Sequence, residues 1–167
     1  MGHQSGQDVD NFDRHILDIM QQSNRTTSDH IAEQVGLSPA AVQRRIKRMR
    51  EQGIIRADVS IVDPKAVGKQ ISLIVQVSLE RERMDLLDSF KKSMADHPSV
   101  QQCYYVTGSA DFILLVCAAD MEEYEEFTRQ AFFSNDNVRG FETNVVMDSV
   151  KSGLSVPVIN KENKVIR

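Results

Sequence analysis

The stretch SPAAVQRRIKRMREQG, Ser38 to Gly53, constrains this chain more than any other, because both of its ends and both of its faces are written into it. Ser38 can accept a hydrogen bond from an unpaired amide of a first helical turn. Pro39 suits the first helical position, and Gly53 can take the left-handed conformation that ends a helix. On a wheel of 3.6 residues per turn, Val42, Ile46 and Met49 form one apolar stripe, while Ala40, Gln43, Arg44, Lys47 and Arg48 fall on the other side. Arg44, Arg45, Lys47, Arg48 and Arg50 add five cations with no acid before Glu51, so the free face suits an anionic partner. A solvated basic face would look the same in isolation; the neighbouring segments decide between the two.

Those neighbours are helical. Phe12, Ile16, Leu17, Ile19 and Met20 recur at helical spacing from about Asn11 to Gln22, with Asp10 as cap. Thr27 or Ser28 can cap a second, short helix in which Ile31, Ala32 and Val35 face inward and Gly36 ends the run. A short glycine-containing turn, Gly36-Leu37-Ser38, then leads into the basic helix, which is the pattern of a helix-turn-helix with the basic helix in the recognition position. In that geometry the second helix enters a DNA major groove, where arginine and glutamine hydrogen-bond base edges. Ile54 to Val62 alternates well enough to predict one or two short strands, a wing, with Arg56 near the nucleic-acid backbone.

From Asp63 the pattern changes. DPKAVGKQ, with Pro64 and Gly68, reads as a hinge, and ISLIVQVSL puts Ile71, Leu73, Val75, Val77 and Leu79 on one face of a strand. A helix is predicted from about Arg83 to Asp96 with Leu86, Leu87, Phe90 and Met94 inward. Strands Val100 to Val106 and Phe112 to Ala118 follow, joined at TGSAD. Asp120 starts another helix, where DMEE reads as a capping box and Met121, Tyr124, Phe127 and Ala131 make the core face. A last strand runs over about Gly140 to Val150. The order βαββαβ is that of a ferredoxin-like α+β sandwich, four antiparallel strands with two helices on one face. Ile74, Cys103, Tyr105 and Val116 are assigned to the other face, too apolar as a group for solvent, so pairing of two sheets in a homodimer is expected. The predicted organisation is a disordered leader over 1–9, a winged helix-turn-helix over 10–62, a hinge over 63–70, the sandwich over 71–157 and a tail over 158–167.

Charge and composition narrow the function class. Net charge is −4, yet residues 1–60 carry eight basic and eight acidic side chains, so the basic helix sits in a neutral N-terminal part joined to an acidic remainder. Nucleic-acid binding by one face needs no globally basic chain. Cys103 and Cys117 lack the spacing of a zinc cluster or a redox pair and read as reduced thiols, and no apolar run reaches the length of a membrane span, so a cytoplasmic protein without membrane contact is expected. His3, His15, His30 and His97 each lack a second ligand nearby; no metal and no cofactor is assigned. No nucleophile with a nearby base, no paired inward carboxylates and no phosphate-cradling glycine loop is present, so the chain is not read as an enzyme.

FDRHILDIMQQSNRTTSDHIAEQVGLSPAAVQRRIKRMREQGII, with VTGSADFILLV and TNVVMDSVK further on, resembles the Lrp/AsnC, or feast/famine, transcription regulators over about residues 10–157. The resemblance implies a winged helix-turn-helix that binds double-stranded DNA, joined by a hinge to a sandwich that dimerises and often assembles further, commonly to octamers. It implies a small effector, usually an amino acid, bound between dimers. Ser38, Pro39, Ala40, Gln43, Arg44 and Lys47 match the stretch that enters DNA, with Arg48 the next basic neighbour. Thr107, Gly108, Ser109, Ala110 and Asp111 match the turn lining the effector cleft, and Thr143 is placed to add a hydroxyl there. Glycine lets backbone amides approach a carboxylate, and Asp111 can hold the turn or accept from an ammonium group. The family often has an acid and an aromatic where this chain has Ser109 and Ala110. Two other readings stay open: an architectural DNA-binding protein independent of any effector, and a metabolite-sensing module without specific DNA readout.

Overall fold

Residues 9–160 are described by a computed structural model, in which the chain forms two units. One holds the described residues up to Ser60 together with those from Ser152; the other is Ile61–Lys151. The expected leader, apart from Val9, and the tail from residue 161 lie outside the described residues.

The first unit is built on three helices whose ends follow from capping chemistry. Helix α1 (Asn11–Gln22) opens with a capping box in which Asp10 accepts from the Asp13 amide and Asp13 accepts from the Asp10 amide. Helix α2 (Ser28–Val35) is capped by Thr27, and Gly36, at φ 72°, closes it with its amide on the Ala32 carbonyl. Helix α3 (Pro39–Glu51) starts with Ser38 Oγ accepting from the Ala41 amide at 3.3 Å. It ends where Gly53, at φ 70°, turns the chain so that the amides of Ile54 and Ile55 both reach the Met49 carbonyl. Ile16 of α1, Ile31, Ala32 and Val35 of α2, and Val42, Ile46 and Met49 of α3 are buried together. Each large member stabilises the unit by about 1.5–3 kcal/mol.

One expectation for this unit is corrected, the strands after α3. Residues 54–62 form no strand: the segment alternates in sequence, but none of it joins a β-ladder, and Arg56 is exposed. An ion pair from Arg50 to Asp58 at 2.9 Å holds the segment against the end of α3. The bounds drawn for the sandwich, 71–157, take in residues 152–157. They group with the helices, because Gln21 brackets Val156, its amide donating to the Val156 carbonyl at 3.0 Å and its oxygen accepting from the Val156 N–H at 2.7 Å. Arg14 adds a bond to the Val158 carbonyl at 3.2 Å, making this stretch a strap on α1.

The second unit begins with a single 3₁₀ turn at Lys65–Val67, ended by Gly68 at φ 85°. It contains β1 (Ile71–Leu79), α4 (Met84–Asp96), β2 (Val100–Tyr105), β3 (Phe112–Ala118), α5 (Met121–Thr128), a π-helical turn at Arg129–Phe133, and β4 (Val138–Val145). The strands are antiparallel in the order β2-β3-β1-β4. Leu73, Val75, Val77 and Leu79 of β1 and Phe112, Leu114 and Val116 of β3 pack against Leu87, Phe90 and Met94 of α4 and Tyr124 and Phe127 of α5. The π turn extends α5 so that Phe132 joins this core while Phe133 stays exposed. Met121, expected inside, is exposed at the first helical position of α5, and β4 stops five residues short of the expected Val150.

The uncovered face of the sheet differs in membership from the expectation. Only Ile74 of the four assigned residues lies there. Val116 pairs with Leu73 in the core; β3 is apolar on both faces, so alternation alone cannot say which face is inner. Cys103 packs against the core and Tyr105 stacks on Phe112 at 5.1 Å between ring centroids, because the β2 register shifts between Val100 and Gln102 and reverses the phase of the strand. The uncovered face instead carries Ile74, Ile113 and Leu115, flanked by Gln76, Tyr104 and Cys117.

Candidate functional site

Two places carry the residues singled out above: the outer face of α3 and the turn between β2 and β3. On α3, burial of Val42, Ile46 and Met49 turns Ala40, Gln43, Arg44 and Lys47 outward, and all four are exposed together with Ser38 and Pro39. Lys47 reaches its own helix neighbour Glu51 only at 3.8 Å, with both side chains well solvated, so its charge is available. Ser38 is occupied as a cap by its acceptor oxygen, which leaves its hydroxyl proton to donate. Small Ala40 permits close approach at the leading end.

Arg48 behaves differently from the rest of its expected set. It lies on the flank of α3 with Arg45, and both guanidinium groups close on the carboxylate of Asp13, a side chain with no solvent exposure. Arg45 binds Asp13 Oδ1 at 2.9 Å and Asp10 Oδ2 at 2.7 Å, and lies 5.5 Å from the centre of the Phe12 ring. Arg48 takes Asp13 Oδ2. Burial works against ionisation of both Asp10 and Arg45. The Asp13 amide and the Arg45 guanidinium outweigh it at Asp10, whose carboxyl is held below its ordinary range, and the two aspartates raise Arg45. Asp10 is expected from sequence only as a helix cap; Asp13 and the pairing of both acids with Arg45 and Arg48 are not singled out there. The available signal was two acids three apart at the start of α1 and two arginines three apart on the flank of α3.

The turn after β2 is shaped by Gly108, whose φ of 139° is a conformation that disfavours any side chain. Thr107, Gly108 and Ser109 are exposed, whereas Ala110 is buried and packs rather than presents. Asp111 holds the turn: its carboxylate accepts from the Leu79 amide at 2.6 Å, its own amide donates to the Val77 carbonyl, and its carbonyl accepts from the Val106 amide. Of the two roles open to Asp111 in the sequence, its carboxylate takes the structural one. Thr143 is not brought to this turn. It pairs with Val75 on the helix-covered face, and its hydroxyl bonds to the Tyr124 phenol at 2.5 Å. A separate polar groove of about 650 Å³ lies between the start of α4 and the residues after α5, lined by Arg81, Ser89, Ser93 and Asn137 among others, and includes none of the turn. Among the described residues no group of three His, Cys, Asp or Glu side chains could hold a metal ion, and no helix is long and apolar enough to cross a membrane.

Comparison with known proteins identifies both units. Residues 9–56 match the winged helix-turn-helix DNA-binding family, and residues 72–156 match the Lrp/AsnC ligand binding domain. The chain belongs to the Lrp/AsnC family of transcriptional regulators. This Lrp/AsnC regulator is 56% identical over 151 residues to an HTH-type transcriptional regulator of Sinorhizobium fredii, covering 90% of this chain and 89% of the other. It is 33% identical to the transcriptional regulator AzlB of Bacillus subtilis, covering 90% and 96% of the two chains. Its fold superposes with a TM-score of 0.84 on a transcriptional regulator of Neisseria meningitidis solved in complex with L-Met, at 28% identity over 90% of this chain and 97% of that one. The Lrp/AsnC assignment makes the first unit the DNA-binding part and the second the part that takes a small molecule.

Proposed function

We propose that this regulator reads a specific duplex sequence as a dimer or higher assembly, through Ser38, Pro39, Ala40, Gln43, Arg44 and Lys47, and that an amino acid bound at the turn around Gly108 modulates it. The observation that carries the DNA reading is the division of α3: an apolar stripe fixed in the core opposite an exposed face of one glutamine and two well-solvated cations, Arg44 and Lys47. Gel-shift titration over a range of salt tests it. Binding falls steeply with salt, and Arg44→Ala/Lys47→Ala flattens the logarithmic slope by about 1.8, the loss of two phosphate contacts. Unchanged affinity and slope in that variant would end the reading.

The effector reading is supported by the exposed turn amides at Gly108 and Ser109 and by the L-Met complex of the Neisseria relative. With Asp111 committed to the Leu79 amide, a bound carboxylate would be met by those amides. Calorimetric titration with the common amino acids, L-methionine first, finds a ligand for the native chain and none for Gly108→Val; no binding by any of them favours the effector-independent alternative. The assembly reading is supported by the uncovered sheet face, where Ile74 is 41% exposed and stands opposite Leu115. Two such faces joined would set two α3 helices at a fixed spacing for successive major grooves.

A further inference from the structure

Asp13 is the buried acid among the described residues, and both of its carboxylate oxygens are occupied by arginines of the recognition helix. Both arginines are drawn toward α1 by these pairs. Arg45 is 23% exposed, with its guanidinium shared between Asp10, Asp13 and the Phe12 ring, and Arg48 is 40% exposed with its Nε buried. Five cations on α3 therefore present unequally. Arg44 and Lys47 point outward, Arg50 pairs with Asp58, and the two nearest α1 share the Asp13 carboxylate, which water does not reach, with Asp10 supplying the second negative charge. A carboxylate that bridges two guanidinium groups also fixes where α3 sits against α1, since charge-assisted bonds of this kind are directional.

We propose that Asp13 is a specificity-determining residue for DNA recognition. By holding Arg45 and Arg48 against α1 it removes two cations from the phosphate-binding surface, and leaves readout to the shorter set of Gln43, Arg44 and Lys47. The physical basis is that phosphate contacts add affinity for any duplex, while base contacts alone distinguish one from another. A recognition helix with five free cations would bind all DNA more tightly and discriminate less. The inference rests on the DNA-binding reading, and the Arg44→Ala/Lys47→Ala slope serves as its separate control.

The test compares salt slopes on two probes: a random-sequence duplex, and a duplex selected from a random pool by the native protein. In Arg45→Met/Arg48→Met the slope on either probe stays at the native value, because neither side chain touches phosphate. In Asp13→Asn the release of Arg48 steepens the slope on the random duplex by about 0.9, and by up to about 1.8 where Arg45 also leaves Asp10, so the affinity lost between about 50 and about 200 mM salt grows about three- to tenfold. The ratio of selected to random binding falls with it. A double arginine variant whose slope flattens by about 1 or more overturns the proposal, as does a folded Asp13→Asn protein that binds both probes with the native slope and native ratio. Should Asp13→Asn fail to fold, the arginine pair decides alone, and Asp13→Glu, which keeps the charge, must return the native ratio where it folds.

Discussion

At Asp111 the sequence leaves two roles open to one carboxylate, and the structure places it on the backbone of β1. Removing it leaves the half-buried Leu79 amide without its acceptor, so Asp111→Ala should lower stability by about 1–3 kcal/mol in urea titration. Asp111→Asn should recover part of the loss, since the amide oxygen still accepts. Ser38 works at the same scale. Its hydroxyl satisfies one of the amides that any helix start leaves open, and Ser38→Ala should cost about 1 kcal/mol. His97 supplies a pH dependence. Burial holds its imidazole below its ordinary value of 6.5, against the edge of Phe127 and with the Ser99 amide donating to Nδ1. The unfolded chain then takes up this proton before the folded one, so the contribution of His97 is complete above pH 6.5 and is lost as pH falls through the lower folded value. Thermal melts between about pH 5 and 6.5 should show this decline, and His97→Gln should flatten it.

Elements obey the same chemistry with more partners. Helices α1, α2 and α3 have ends fixed by residues adjacent in sequence, and their limits were accordingly legible: Asp10, Thr27, Ser38, Gly36 and Gly53 each act where the local pattern places them. Strands depend on what lies beside them. The alternating run 54–62 finds no neighbour and stays irregular, while β2 shifts register and turns Cys103 and Tyr105 toward the helices. The strap on α1 belongs to this scale too. It is held by the backbone of Val156 and Val158, groups common to any residue type, and so carries no signature in its side chains. Gln21→Ala removes both bonds to Val156, and hydrogen exchange at the Val156 amide should accelerate while exchange in the core of the sheet stays unchanged.

For the whole molecule the deciding feature is the sheet face that α4 and α5 leave open. Ile74, Ile113 and Leu115 make an apolar surface that solvent does not favour, and the proposed association of two copies would remove it from water. Leu115→Lys places an unpaired charge at the centre of that surface and should convert the assembly to monomer, measured by light scattering after size exclusion. DNA affinity should fall with it, because a monomer presents one recognition helix where the assembly presents two.

Sequence by itself determined the helices, the order of the sandwich's elements, the family and the outward face of α3, because helix capping and 3.6-residue periodicity are local and leave their residues next to one another in the chain. It did not determine which cations on that face are free, which residues share the open side of the sheet, or where the chain goes after β4. Tertiary structure decided those. Asp13 and Arg48 are 35 residues apart, β2 and β3 set their mutual register, and Gln21 meets Val156 across 135 residues. Such pairings depend on which distant groups meet, and a local pattern holds no record of that.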